Sequence, residues 1–315
     1  MRLFSALPAD SNSPASKNLQ QHQPTQRNAV LNHSINTSRL QNRYQTPQFS
    51  AKMSTTTTNS QPATASDPFL ERMRTYIAPN PSPRNPHISR ESSHADLIEE
   101  GYQADGHRTW GFVIYRTTYE SDADWADSMQ RLRWWTTDAM EIFNGQDVLD
   151  RMTWTVFDDR ERFDGADTTA VRRRFRAWAE TAVLSERQQP DDAAIISEGA
   201  SPRYRYCIQV DADALDPCVH DSSPPPPNCR LEQAGWVKVI DKNWIPRHAN
   251  PIFAGRRSYP HAYDFEPLEG GVTEEHVGWL KCPLPGVMTE YYYLLRDRNG
   301  WMVVYRRPPV VVGSM

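Results

Sequence analysis

Between Trp110 and Phe157 the hydrophobic period of the chain changes twice, and this succession limits the fold more than any other feature of its 315 residues. In WGFVIYRTTY (110–119) aromatic and β-branched residues run without a breaker, which predicts a strand. Trp110, Phe112 and Ile114 would share one face of it, and Gly111, Val113 and Tyr115 the other. Ser121 then supplies an N-cap, and Asp122 and Asp124 place negative charge at the positive end of a helix dipole. Trp125, Met129, Leu132, Thr136, Ala139 and Phe143 recur at helical spacing up to the Asn144-Gly145 turn. MTWTVF (152–157) reads as a second strand, so the opening permits a parallel pair joined by a right-handed crossover.

Beyond it, TTAVRRRFRAWAETAVL (168–184) predicts a helix with Val171, Phe175, Trp178 and Ala182 on its apolar face and Arg172, Arg173, Arg174 and Arg176 around the rest. Strands are expected at RYRYCIQV (203–210) and GWVKVI (235–240), and further strands or a short helix at VGWLK, EYYYLL and WMVVYRR. The order implies an α+β fold: a sheet of about four or more strands with helices packed on one face, ferredoxin-like in general architecture.

With 38% hydrophobic residues and 25 prolines, the chain has core material for one domain. Residues 1–66, rich in Ser, Thr, Asn, Gln and Pro, are expected to be a disordered tail. Over 67–100 the sequence reads as a short helix, PFLERMRTYI, capped by Asp67, followed by a Pro-rich linker. A single domain is expected over 101–309, with a Pro-rich insertion at 211–230, and a tail over 310–315.

No apolar run reaches the ~20 residues that span a bilayer, and MRLFSAL is too short for a secretory core, so no membrane association and a cytoplasmic location are expected. Arg2, Arg27, Arg39 and Arg43 in an acid-poor amino-terminal stretch raise a mitochondrial address as the alternative. A net charge of −4 offers phosphate backbones no global attraction, so no nucleic acid is favoured as a partner.

RTWGFVIY (108–115) is similar to the octapeptide of RNA-recognition domains, with Arg108, Trp110, Gly111, Phe112, Val113 and Tyr115 matching. That resemblance implies RNA stacking on Trp110 and Phe112. Ile114 prolongs the same face into an apolar stripe, the helix is too long for that family, and half the fold would be missing. A buried strand is therefore expected.

Cys218, His220 and Cys229, with Cys207 as a fourth ligand, are the candidate zinc set, although neither a CxxC nor an HxxxH pair is present. Asp211, Asp213 and Asp216 could offer oxygens to a divalent cation, or serve as turn and capping residues. The densest acid-base set is His261, Asp264, Glu266, Glu274, Glu275 and His276. Neither a P-loop, a GxSxG elbow nor a dinucleotide fingerprint occurs, so no cofactor is expected.

Taken together, WGFVIYRTTYESDADW, FDGADTTAVRRRFRAWAE, PRYRYCIQVDADAL, GWVKVI, EEHVGWLK and WMVVYRRPP resemble a filamentous-fungal protein family with no activity attached to it. The resemblance implies a shared domain behind a variable amino-terminal tail, and carries no site residues. The leading functional expectation is a non-catalytic intracellular domain acting through protein contacts, with tryptophans and tyrosines as interface anchors. The alternatives are a small-molecule enzyme using the His261–His276 set and RNA binding through Arg108, Trp110 and Phe112.

Overall fold

The computed structural model describes residues 76–188, 201–221, 224–250, 265–297 and 299–313, all within one unit, Asn59–Met315. The fold is α+β, built on an open five-stranded mixed sheet. Strands β1 (Val113–Arg116), β2 (Val156–Phe157), β3 (Tyr206–Val210), β4 (Trp236–Asp241) and β5 (Trp279–Pro283) lie in the order β2-β1-β3-β4-β5. Both neighbours of β1 run parallel to it, Ile114 facing Val156 on one side and Ile208 on the other. The remaining pairs are antiparallel, with Ile208 opposite Val239 and Val237 opposite Cys282.

Three long helices complete the frame: α1 (His94–Ala104), α2 (Asp122–Ile142) and α3 (Thr168–Ser185). The cap expected for α2 forms, Ser121 Oγ accepting the Asp124 N–H at 3.2 Å. The chain moves from β1 through α2 to β2, then returns through α3 across β1 to β3. A right-handed crossover puts a helix on one face in the first direction and on the opposite face on return. The alternation along the strands agrees. Trp110, Phe112, Ile114 and Ile208 pack with residues of α1 and α2, whereas Val113, Tyr115 and Cys207 pack with Phe163, Val171 and Phe175. Helices thus cover both faces rather than one. The element order β-α-β-α-β-β-β also differs from the β-α-β-β-α-β order of a ferredoxin-like fold.

The folded unit extends beyond the expected 101–309 at both ends. Ahead of Gly101, α1 begins at a capped Ser93, whose Oγ accepts the Asp96 N–H at 3.3 Å, and sends Ala95, Ile98 and Tyr102 into the core. At the other end Val311 bridges to Lys281, and the Val312 N–H donates to the Lys281 carbonyl at 2.9 Å, covering the outer side of β5. Of the helix expected over 68–77, residues 68–75 lie outside the described ones. Among the described residues no helix is long and apolar enough to cross a membrane.

Trp110 and Phe112 are both fully buried, meeting Tyr292 edge-on at 5.4 and 4.9 Å. Neither ring offers a face to a base. Of the arginines of α3, Arg173, Arg174 and Arg176 are exposed, and one turns inward. Arg172 is buried and donates to the carbonyls of Asp241 (2.9 Å) and Gly278 (3.1 Å), with its guanidinium 4.8 Å from the centre of the Trp244 ring. Arg176 donates to the Lys242 carbonyl at 2.5 Å. These two arginines tie α3 to the turn after β4.

Gly278 sits beneath that turn at φ +71°, and a Cβ there would lie 2.3 Å from the Trp244 ring. Left-handed backbone strains any residue with a Cβ, and the indole cannot retreat without losing its 3.0 Å bond to the His276 carbonyl. Gly278→Ala is expected to lower unfolding free energy by about 1–3 kcal/mol, read as a shifted urea midpoint at unchanged slope.

Candidate ligand-binding crevice

Because β1 sends the chain onto one face and β2 sends it onto the other, their following loops separate at the carboxyl edge of the sheet. In open α/β sheets such a divergence is where ligands settle. A crevice of about 530 Å³ lies here, walled by Thr117 and Thr118 after β1, Gly165 and Ala166 before α3, and Ala212 after β3.

The walls are tied to one another. Thr117 donates its N–H to the Val210 carbonyl at 2.9 Å and accepts the Gly165 N–H at 3.1 Å. Behind Thr118, the buried Arg116 donates to the Thr118 carbonyl at 2.9 Å and to Asp122 at 2.5 Å, and lies against the Tyr119 ring. This bonding holds the loops in place without a ligand, as preformed sites require.

Six carboxylates line the crevice, those of Glu120, Asp164, Asp167, Asp211, Asp213 and Glu269, against the single base Lys238. Several have tasks of their own. Asp167 caps α3, accepting the Ala170 N–H at 2.6 Å, and Asp211 caps the short helix α4 (Ala212–Asp216), accepting the Ala214 N–H at 3.1 Å. Asp211 also pairs with the buried Lys238 ammonium. Glu269 accepts the first N–H of α3, from Thr168, through Oε1 at 2.8 Å. Its Oε2 is buried, lies 3.9 Å from Lys238 Nζ and has no hydrogen-bond donor.

Lys238 belongs to a polar row across the sheet, since it faces Gln209 on β3 and Lys281 on β5. Gln209 is almost wholly buried. Its Nε2 donates to Thr117 Oγ1 (3.1 Å) and to the Ala166 carbonyl (2.9 Å), both crevice walls, and its Oε1 is left without a donor. Burial, partly offset by Asp213 and Asp211, lowers the Lys281 pKa below the usual lysine range. The arrangement is a pocket rich in acceptors, with one cation already paired.

Of the residues singled out in the sequence, Asp211 and Asp213 reach the crevice, Asp211 also in the capping role expected of it. His261 and Asp264 fall outside the described residues. Of the rest of that set, Glu266, Glu274 and Glu275 use their backbone carbonyls, which accept from Arg307 (2.8 and 2.9 Å) and from the Tyr305 hydroxyl (2.7 Å). The Glu274 carboxylate also accepts the Arg247 N–H at 2.7 Å. His276 packs on the Tyr305 ring at 4.7 Å, and its carbonyl accepts from Trp244. These contacts fasten the 265–277 segment to the carboxyl-terminal stretch.

Cys218 and Cys229 are buried, and each Sγ donates at 3.2 Å to a carbonyl, that of Trp236 and Arg230 respectively. Burial pushes the Cys218 thiol up to about 12, far from the thiolate a metal needs. His220 is exposed and lies 3.5 Å from Asp124. Among the described residues no group of three His, Cys, Asp or Glu side chains is placed to hold a metal ion, the Asp211, Asp213 and Asp216 run included.

The chain matches no protein-family model, no curated protein and no solved structure.

Proposed function

We propose that this domain binds a small polar molecule in the crevice at the carboxyl ends of β1 and β3. The observation that carries the reading is the crevice's position where the loops after β1 and β2 diverge, with two threonines, six carboxylates and a lysine among its lining residues. An interface role for the aromatics has less support. Of the ten tryptophans, four are buried and six half-buried, which leaves a partner only part of their surface. The reading stops at binding.

The test is hydrogen–deuterium exchange on the full chain with pooled small metabolites, compared with Ala212→Trp. Ala212 is an exposed wall residue, so an indole there fills the crevice without disturbing the core. At least one pool is expected to slow exchange over 117–120 and 164–167, and the protection is expected to vanish in Ala212→Trp. Protection that persists in the variant, or none from any pool, would defeat the reading.

A further inference from the structure

We infer that Asn144 is a site of spontaneous deamidation, held in check by the loop that Arg84 anchors, and that its conversion makes release of that loop permanent.

The chemistry follows from the Asn-Gly pair. Glycine has no Cβ to shield its own amide, so that nitrogen can attack the asparagine side chain before it. A bond forms between Gly145 N and Asn144 Cγ while the Cγ–Nδ2 bond breaks, and the nitrogen leaves as ammonia with the proton the amide gives up. Water then opens the cyclic imide to aspartate or isoaspartate, and is the only co-reactant. A bulkier residue that would slow the attack has no room at 145, where a Cβ would lie 2.7 Å from the Ala95 Cβ.

The fold restrains both reacting groups. Asn144 is exposed and stands just past α2 in left-handed backbone, φ +51°. Its N–H donates to the Glu141 carbonyl at 3.0 Å, and the Gly145 N–H to the Met140 carbonyl at 2.9 Å, the paired bonds of a left-handed helix stop. The attacking nitrogen is thus engaged and its peptide plane fixed. The leaving group is held as well, since Asn144 Nδ2 donates to the Arg84 carbonyl at 2.8 Å.

That carbonyl belongs to a loop with its own internal order. The N–H groups of Ala78, Ser82 and Arg90 donate to the carbonyls of Pro86, Ile88 and Asn80 at 2.8–2.9 Å, so residues 78–90 fold back on themselves. Arg84 fastens the loop to the domain. Its guanidinium donates to Asp96 and, at 2.5 and 2.6 Å, to Glu99 and Asp147. Local opening of this loop frees Nδ2 and lets the turn leave its left-handed angles. Conversion then changes what the loop would return to. A carboxylate stands where a donor faced the Arg84 carbonyl, and its charge lies at the negative end of the α2 dipole. Isoaspartate also lengthens the main chain within the paired bonds.

The experiment is peptide mapping by mass spectrometry of the full chain kept warm at mildly alkaline pH, beside a synthetic peptide of residues 139–149. Deamidation at 144 is expected in the folded chain about tenfold more slowly than in the peptide, because the reaction draws on the open population. Arg84→Ala and Asp147→Asn are expected to bring the rate toward that of the peptide. Asp147 is exposed, so its variant loosens the loop without the risk to folding that Arg84→Ala carries, and circular dichroism checks both. Hydrogen–deuterium exchange over 78–90 is expected to rise in the converted protein and in Asn144→Asp, with β3 and β4 unchanged. Conversion as fast in the folded chain as in the peptide, or equally slow in wild type and both variants, overturns control by the loop. If neither variant converts while the peptide does, the site itself falls. Converted protein whose 78–90 exchange matches the unconverted chain overturns the permanent release.

Discussion

Removing the Glu186 carboxylate is expected to cost about 3–5 kcal/mol of unfolding free energy, the usual consequence of stranding a buried charge. Arg203 has no exposed surface. It meets Glu186 side-on through Nε (2.6 Å) and Nη2 (2.8 Å), and spends its other donors on the Gly111 carbonyl and Thr155 Oγ1, each at 2.8 Å. The Tyr204 hydroxyl adds a bond to Glu186 at 2.7 Å. Glu186→Gln keeps the volume but strips the guanidinium of its counter-charge, so urea titration at neutral pH should show most of the loss. Glu186→Gln with Arg203→Met should recover part of it, because the double change buries no charge.

The same pair sets an acid limit. Burial by itself would raise the Glu186 carboxyl, but the hydrogen bonds and charge of Arg203 outweigh it and hold the group below the usual carboxylate range. A carboxyl depressed on folding stabilises fully above its unfolded value, ~4.3, and this contribution is lost as pH falls through the lower folded value. Neighbouring His107 acts from a higher pH. Burial lowers its imidazole against the opposing pull of Asp105 and Glu186, so its contribution is whole above ~6.5 and declines as pH falls below that. Wild-type stability is therefore expected to fall in two stages on acidification. The gap to Glu186→Gln should close only in the second, and a gap that is independent of pH would contradict the assignment.

Trp110→Ala is the second large effect, with about 3–5 kcal/mol expected for a fully buried indole. Besides the cavity, it leaves the Val148 carbonyl without the indole N–H that reaches it at 2.7 Å. Trp110→Phe, which keeps most of the volume but not the donor, should lose distinctly less. If both variants stayed as stable as wild type while nucleic-acid affinity changed, the ring would have to be at a surface after all.

Local patterns carried the frame of the fold. Ser121, the aspartates after it and the apolar spacing to Phe143 located α2, and runs of β-branched and aromatic residues located β1, β3 and β4, because these signals need only neighbours in sequence. α1 escaped notice although Ser93, Asp96 and the Ala95, Ile98, Tyr102 spacing announce it, since a proline-rich lead-in dominated that stretch. EYYYLL and WMVVYRR hold the single-turn helices Glu290–Leu294 and Gly300–Val304, runs too short for any period to decide. The crevice was not legible as a whole. Its carboxylates come from four separate segments, around 120, 164–167, 211–213 and 269, none of which announces a pocket when taken alone. One signal did stand in the open: Lys238, in WVKVI between Val237 and Val239, is a charge in a strand otherwise fit for burial. The Glu186–Arg203 pair gave no such signal, because the bond joins the end of one helix to the turn before a strand.

The edges of the sheet have a consequence beyond binding. β2 contributes only Val156 and Phe157 to its ladder, and the outer side of β5 already receives the Val312 N–H. Long unpaired edges are the templates on which folded chains recruit one another into aggregates. Here one edge is too short to template a partner and the other is partly occupied by the chain's own terminus, so residues 311–312 act as a guard against self-association at β5 as well as a closing piece of the fold.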